Sequence, residues 1–425
     1  MANSGLNLAE GTALYVAAVL GTGILVLPAA AITVAGPAAL IALALLVALS
    51  IPLASAFAAL GARYPDSGGI STYVRHALGS AASTVTAWLF FVGAPIGIPA
   101  LVLFGAGYAQ AVTGGGRDEV FLIAGVLLAV CVAANVRGVR MSGRVQLVLT
   151  GALIAGLLVA VALSSPSPGA RPFDTFAPFG WSAIVPAAML LVWSLTGWEA
   201  VTHLAGEFRN PERDITRATA AALAIIAVLF CVVTVAVLLV LGQSASSTDA
   251  PISALVQYRL GNAAVAVTAA LAIVITLSGT NAYVASLSKL GAAMGRDGSA
   301  PAWLAPGSAR GDVARRSLAV VTVYSAAVLV LTWFMGWRAT DLVLVCAASQ
   351  IAVYVFGLVA AVKLLPARSY GRWCAAVSLL VMSLLLVLSG WHLLAPAAIG
   401  AAALTFRALS HRRAASSSAR LIQNQ

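Results

Sequence analysis

Two short stretches of this 425-residue chain combine residues that disrupt a helix with residues that bind polar ligands. The first is Gly21-Thr22-Gly23, with Pro28 shortly after it, and the second is Ser194 with Thr196-Gly197, followed by Glu199. Inside a helix each glycine costs roughly 1 kcal/mol relative to alanine, and a proline costs about 3 kcal/mol. A backbone that leaves the helix there presents N–H groups suited to a carboxylate and carbonyl oxygens suited to an ammonium group. The two stretches therefore predict a site for a small zwitterion.

The elements that must position these stretches are membrane helices. The chain is 61% hydrophobic and only 9% charged, whereas a soluble domain carries about a quarter charged residues. Apolar runs near 20 residues long, sufficient to cross a lipid bilayer, recur along the whole sequence. The pattern predicts an all-α polytopic membrane protein with about twelve spans, near 10–35, 37–61, 81–113, 119–136, 145–164, 182–206, 217–241, 262–290, 317–335, 340–364, 373–389 and 391–408.

The distribution of positive charge predicts the orientation of these spans. Of the 24 Lys and Arg residues, only Arg117, Arg171, Arg259 and Arg338 fall in loops on one side, which leaves 20 on the other. The positive-inside rule then places both termini in the cytoplasm, with 409–425 as a mobile cytoplasmic tail. Although the net charge is +11, the basic residues form no stripe or domain, so nucleic acid is excluded as a partner.

Both helix-disrupting stretches fall within predicted spans, the first and the sixth. Irregular backbone at membrane depth is tolerated only where protein buries it or where it lines a wet cavity. Glycines could also serve only to let helices pack closely. Matching Thr-Gly pairs five spans apart favour a functional break, because interrupted spans at corresponding places in two halves mark transporter sites.

Four segments resemble the amino acid–polyamine–organocation transporter superfamily, and most closely its bacterial exporters of L-methionine and branched-chain amino acids. They are LGTGILVLPAA (20–30), ARYPDSGGISTYV (62–74), WLFFVGAPIGIPA (88–100) and GWEAVTHLAGEFRNPERDITRA (197–218). The resemblance implies a single transporter domain over 1–408. It would comprise two inverted five-helix repeats, about 10–164 and 182–364, and two extra helices, about 373–408.

The resemblance also implies which residues bind the substrate. The backbone of Gly21, Thr22 and Gly23 would hold the carboxylate. The amino group would lie on carbonyls near Val19 and Leu20 and around Trp193 and Ser194. Thr196 and Gly197 would also belong to the substrate-binding residues. The side-chain pocket would be shaped by Ile98, Trp193 and residues near Asn281, and its apolar wall suits neutral side chains.

Glu199 is the candidate for the coupling proton. It is the only acidic residue deep in a predicted span, where a charge costs at least about 2.5 kcal/mol and needs a partner. His203 lies one helical turn further on and could relay the proton, although Glu199 could equally clamp the break and His203 could simply pack. The hydroxyl groups of Thr276, Ser278 and Thr280 leave sodium open as an alternative, but such hydroxyls usually bond to their own helix.

These observations predict a secondary transporter of neutral amino acids in the plasma membrane, exporting them against protons. The alternatives are an importer or exchanger of amino acids or amines, and a membrane sensor that binds without transport. An enzyme would need clustered His, Asp or Glu, and the four histidines are scattered. The four cysteines form no Cys-x-x-Cys pair, and no metal or other cofactor is predicted.

Overall fold

The computed structural model describes residues 7–64, 69–138, 143–164, 173–194, 196–198, 208, 211–307 and 312–423. These residues form helices joined by short turns and 3-10 segments. The α-helices are α1 (Leu8–Leu20), α2 (Gly23–Ala35), α3 (Ala39–Arg63), α4 (Gly69–Leu78), α5 (Ser80–Gly93), α6 (Gly97–Thr113), α7 (Arg117–Val136), α8 (Gly143–Leu163), α9 (Ile184–Ser194), α10 (Pro211–Val240), α11 (Pro251–Arg296), α12 (Arg315–Met335), α13 (Ala339–Leu364), α14 (Tyr370–Leu388) and α15 (Leu394–Gln423).

The helices correspond to the twelve predicted spans and confirm an all-α polytopic membrane protein. Within the described residues, nine helical stretches are long and apolar enough to cross a membrane. One of them, Leu8–Arg63, contains the first two predicted spans, and two shorter apolar helices, Leu147–Leu163 and Trp181–Ser194, match spans five and six.

Helix packing repeats under a shift of five spans. Span one packs on span seven (α1 on α10), and span six packs on span two (α9 on α3). Likewise span one contacts span five (α1 on α8), and span six contacts span ten (α9 on α13). Span three contacts span ten (α6 on α13), and span eight contacts span five (α11 on α8). This recurrence is the arrangement expected of two five-helix repeats. The residue bounds of the repeats stay a prediction.

Four features differ from the sequence prediction or add to it. An amphipathic helix, α4, follows α3, and a 3-10 segment, Ala94–Ile96, interrupts span three between α5 and α6. Helix α11 begins at Pro251, well before the predicted span eight, and is kinked at Gly261, where φ is 65°. Helix α15 continues to Gln423, so most of the segment predicted as a tail is helical.

The bundle has two ends, which we name from the predicted orientation. The outer end holds the connections 114–116, 241–250 and 336–338, and the inner end holds α4 and residues 297–307. At the inner end Arg75 of α4 pairs with Asp297 at 3.5 Å, and the Trp88 indole donates to the Ser299 carbonyl at 2.7 Å.

Candidate functional site

Span one is interrupted at Gly21-Thr22, as the sequence predicts. Helix α1 ends at Leu20, the φ of Gly21 is 43°, and α2 begins at Gly23. A left-handed φ is costly for any residue with a β-carbon, so glycine suits position 21. The Gly21 N–H donates to the Ala17 carbonyl at 3.2 Å. The carbonyl groups of Val19 and Leu20 lie in the last turn of α1, where intrahelical donors run out.

Span six leaves the helix at the corresponding place. Helix α9 ends at Ser194, and Thr196 and Gly197 are not helical, with a φ of 124° at Gly197. The Thr196 hydroxyl donates to the Trp193 carbonyl at 2.6 Å, and the Gly197 N–H donates to the Tyr354 hydroxyl of α13 at 2.8 Å. The carbonyl of Trp193, which the resemblance assigned to the substrate ammonium group, thus already accepts a hydrogen bond.

The two breaks contact each other through their glycines. A β-carbon at Gly23 would overlap the Ser194 hydroxyl and lie 3.1 Å from the Ser194 β-carbon. A β-carbon at Gly197 would lie 2.7 Å from the Ala18 carbonyl oxygen and 3.1 Å from the Val19 α-carbon. Each break therefore needs a glycine because the other break occupies the space that a side chain would fill.

Polar groups at this junction are buried and lack partners. Thr22 is 1% exposed and Ser194 is 2% exposed, and neither hydroxyl has a hydrogen-bond partner among the described residues. Thr22 stands at the N-cap of α2, yet its side chain does not cap the helix. An uncapped, buried helix N-terminus is an anion site, and here two free hydroxyl groups adjoin it. The junction can therefore donate several hydrogen bonds to a carboxylate.

An uncharged wall surrounds the indole of Trp193. Its ring meets Phe104 of α6 edge-on with ring centroids 6.2 Å apart, and its Nε1 lies 3.4 Å from the Cys346 Sγ of α13. Gly97 faces both groups, since a β-carbon there would lie 3.0 Å from that Sγ and 3.5 Å from the indole. Ile98, the next residue, is fully buried. The wall suits an apolar side chain.

A cavity of about 480 Å³ leads from the outer end toward the junction. Its rim includes Asp249 and Trp337, and its lining reaches Val26 of α2 and Leu190 of α9. Val26 follows Gly23 by three residues and Leu190 precedes Ser194 by four, so the cavity ends about one helical turn short of both breaks. The edge-on pair of Phe104 and Trp193 lies at this depth, since Phe104 lines the cavity.

The inner side of the junction is covered. Phe208 contacts α1, where its ring lies 5.9 Å from the Tyr15 ring and occupies the space that a side chain at Gly11 would need. Trp198, just past the second break, is completely buried. The described residues thus form an arrangement that is open toward the outer end and closed toward the inner end.

A separate link holds the outer part of α2. The Tyr108 hydroxyl of α6 donates to the Leu25 carbonyl at 2.8 Å and accepts from the Ile252 N–H at 3.2 Å. Tyr108 is fully buried, so one phenolic oxygen joins α2 to the first turn of α11.

The structure brings most of the predicted site residues together, with one departure. The Asn281 amide oxygen accepts from Asn135 of α7 at 2.7 Å, so its side chain lies against α7 rather than at the breaks. Thr280, one residue earlier, is fully buried. The coupling candidates Glu199 and His203 lie outside the described residues.

Three residues that contact the site from α13 and α6 were not predicted from the sequence. Tyr354 and Cys346 hold span six, and Phe104 separates Trp193 from the cavity. A signal for α13 was present, because polar residues recur in CAASQIAVYV (346–355) within an apolar helix. Polar side chains inside a membrane helix face protein or a cavity by default.

Comparisons with known proteins identify the family of this chain. A family model described as amino acid permease matches residues 6–406. The chain is 31% identical over 393 residues, 92% of its own length and 93% of the relative's, to the uncharacterized amino acid permease YecA of Bacillus subtilis. It is 37% identical over 234 residues to the L-methionine/branched-chain amino acid exporter YjeH of Escherichia coli, covering 55% of this chain and 56% of that one. The gamma-aminobutyric acid permease of Escherichia coli is 29% identical over 228 residues, 51% of this chain and 48% of that one.

Proposed function

The chain belongs to the amino acid permease family, and on that premise we propose that it is a secondary active transporter of neutral amino acids. The observation that carries the proposal is the junction of two broken spans. It places an uncapped helix N-terminus and two hydroxyls without a described partner about one helical turn beyond the inner limit of an open cavity. A carboxylate is the ligand group that these donors fit, and the carbonyl ends of α1 and α9 fit an ammonium group.

The substrate class follows from the side chains around the junction. Trp193, Phe104, Ile98 and Cys346 are uncharged, so a cationic or anionic substrate side chain would be desolvated there without a described counter-ion. Leucine, isoleucine, valine and methionine fit such a wall. Export of methionine and branched-chain amino acids is supported by the similarity to YjeH, which is named as an exporter of these amino acids.

Alternating access would proceed from the observed arrangement. Closing the outer cavity over Phe104 and withdrawing Phe208 from α1 would expose the junction at the inner end. We place the protein in the plasma membrane with both termini in the cytoplasm, and the 20-to-4 distribution of basic residues supports that orientation.

The deciding experiment uses the purified protein in sodium-free liposomes loaded with labelled leucine or methionine. Efflux that accelerates under an imposed proton gradient is the expected result. Efflux that does not respond to the proton gradient but accelerates when a sodium gradient is added would show that the coupling ion is sodium rather than the proton. Binding without any movement would favour a sensor, and neither binding nor movement would refute the neutral amino acid proposal.

Glu199 is the proposed coupling group. Replacing it by glutamine removes the titratable proton and keeps the shape, so Glu199→Gln should lose gradient-driven efflux and retain leucine–leucine exchange. Glu119→Gln, at the outer start of α7, is the matched control and should behave as the parent does. A Glu199→Gln variant that still follows the proton gradient would exclude Glu199 from coupling.

A further inference from the structure

Gln350 of α13 occupies a position that the proposed function does not yet use. It lies four residues after Cys346, which contacts the Trp193 indole, and four residues before Tyr354, which accepts from the Gly197 N–H. Steps of four residues turn an α-helix by only about 40°, so the three side chains share one face. Gln350 is therefore directed at the non-helical stretch of span six, between the two contact points.

The amide nitrogen of Gln350 is buried without a partner among the described residues. The residue is 3% exposed, and its Nε2 has no hydrogen-bond partner among the described residues. Buried polar groups are nearly always paired, and each unpaired donor costs free energy in the unliganded protein. Other residues at this junction also have unpaired polar atoms among the described residues: Thr22 and Ser194, which we assign to the substrate, and Trp198, whose indole Nε1 is buried beside Gly197.

We propose that Gln350 contacts the substrate and donates a hydrogen bond from Nε2 to its carboxylate. This inference rests on the proposed function and adds a residue from a third element to the carboxylate site. An N–H donor needs an acceptor, and the carboxylate is the acceptor that every amino acid carries. A thioether sulfur accepts only weakly, and an aliphatic side chain does not accept at all.

The proposal distinguishes a ligand contact from a structural role. A glutamine that stabilised the fold would lower the thermal midpoint when it was replaced. A buried donor whose partner is the ligand makes the opposite prediction, because replacing it by an apolar group of similar size removes an unsatisfied group. Gln350→Leu should therefore unfold at the parental temperature or above it without ligand, and should be stabilised less by leucine.

The experiment measures dissociation constants for leucine and leucinol in purified parent, Gln350→Leu, Gln350→Glu and Ser349→Ala. Ser349 neighbours Gln350 but contacts Gly93, and its variant is the matched control. We expect Gln350→Leu to weaken leucine binding by about ten- to hundredfold, the usual effect of losing a hydrogen bond to a charged group. Gln350→Glu should weaken it at least as much, because it sets a carboxylate against the substrate's own.

Leucinol carries a hydroxyl in place of the carboxylate, so its affinity should change less than that of leucine in Gln350→Leu. Leucine binding within twofold of the parent, or an equal loss for leucine and leucinol, would overturn the inference while leaving the proposed function intact. A parent that binds neither leucine nor methionine would refute the proposed function and this inference with it. Ser349→Ala should stay within twofold of the parent for both ligands.

Discussion

Gly197→Ala tests the idea that the two breaks fit into each other. The added methyl group meets the Ala18 carbonyl oxygen at 2.7 Å and the Val19 α-carbon at 3.1 Å. Both are backbone atoms of α1, so no side-chain rotation relieves the overlap. Overpacking of this kind costs about 1–3 kcal/mol. The φ of 124° is also unfavourable for alanine and adds about 1–3 kcal/mol.

The combined cost of about 2–6 kcal/mol must appear in stability or in binding. If α1 stays in place, the protein loses that much stability. If α1 moves away, the strain is relieved but the junction that binds the carboxylate is lost. At the lower limit of about 2 kcal/mol, the loss in affinity corresponds to roughly thirtyfold.

Two further glycines separate the contributions. Gly21 has a φ of 43° but no neighbour within 4 Å of an added β-carbon, so Gly21→Ala carries only the backbone cost. Gly125, within α7, has neither constraint, and Gly125→Ala should stabilise the protein by about 0.5–1 kcal/mol. Thermal unfolding in detergent and equilibrium binding of labelled leucine measure the series. The reasoning fails if Gly197→Ala keeps both its unfolding midpoint and its leucine affinity, or if Gly21→Ala loses more than Gly197→Ala.

Three other outcomes follow from the contacts around the junction. Tyr354→Phe keeps the ring but removes the acceptor of the Gly197 N–H, so the protein should lose about 1–3 kcal/mol of stability. The loss should be seen as a lower unfolding midpoint and slower transport. Parental values for both measurements would show that this hydrogen bond is dispensable. Phe104→Ala should open the cavity floor and make Cys346, 1% exposed in the parent, reactive toward a membrane-impermeant thiol reagent added at the outer end, with leucine protecting it. If the Cys346 thiol stayed unreactive, a residue other than Phe104 would form the floor that closes the cavity. Asn281→Ala should reduce stability by about 0.6–2 kcal/mol because its hydrogen bond to α7 is lost, while the leucine KM stays unchanged. A raised KM would show that Asn281 does contribute to the substrate pocket.

The first break was predictable because its cause is local. Gly21-Thr22-Gly23 is unfavourable in a helix whatever surrounds it, and the structure confirms that the helix stops there. The 3-10 segment around Pro95 had an equally local signal, glycines and a proline within one apolar run, yet it stands within a predicted continuous span.

The contacts between distant residues were not predictable. The overlap of Gly197 with Ala18 depends on how two helices cross, and no spacing in the sequence encodes that crossing. Position on a helix face is similarly sensitive, because one residue corresponds to a rotation of about 100°. That rotation separates the fully buried Thr280 from Asn281, which bonds to α7.

The link made by Tyr108 has a consequence for how the protein could be controlled from outside the membrane. Because its hydroxyl bonds both Leu25 and the backbone of Ile252, α2 cannot shift relative to the first turns of α11 without breaking a buried hydrogen bond. Those turns are buried, but the connection before them exposes Ser246, Ser247 and Asp249 at the outer end, where an antibody fragment or a cyclic peptide can reach them. A binder that immobilised this connection would restrain α2 through the phenol, and because Asp249 also lies at the cavity rim it would hinder substrate entry as well.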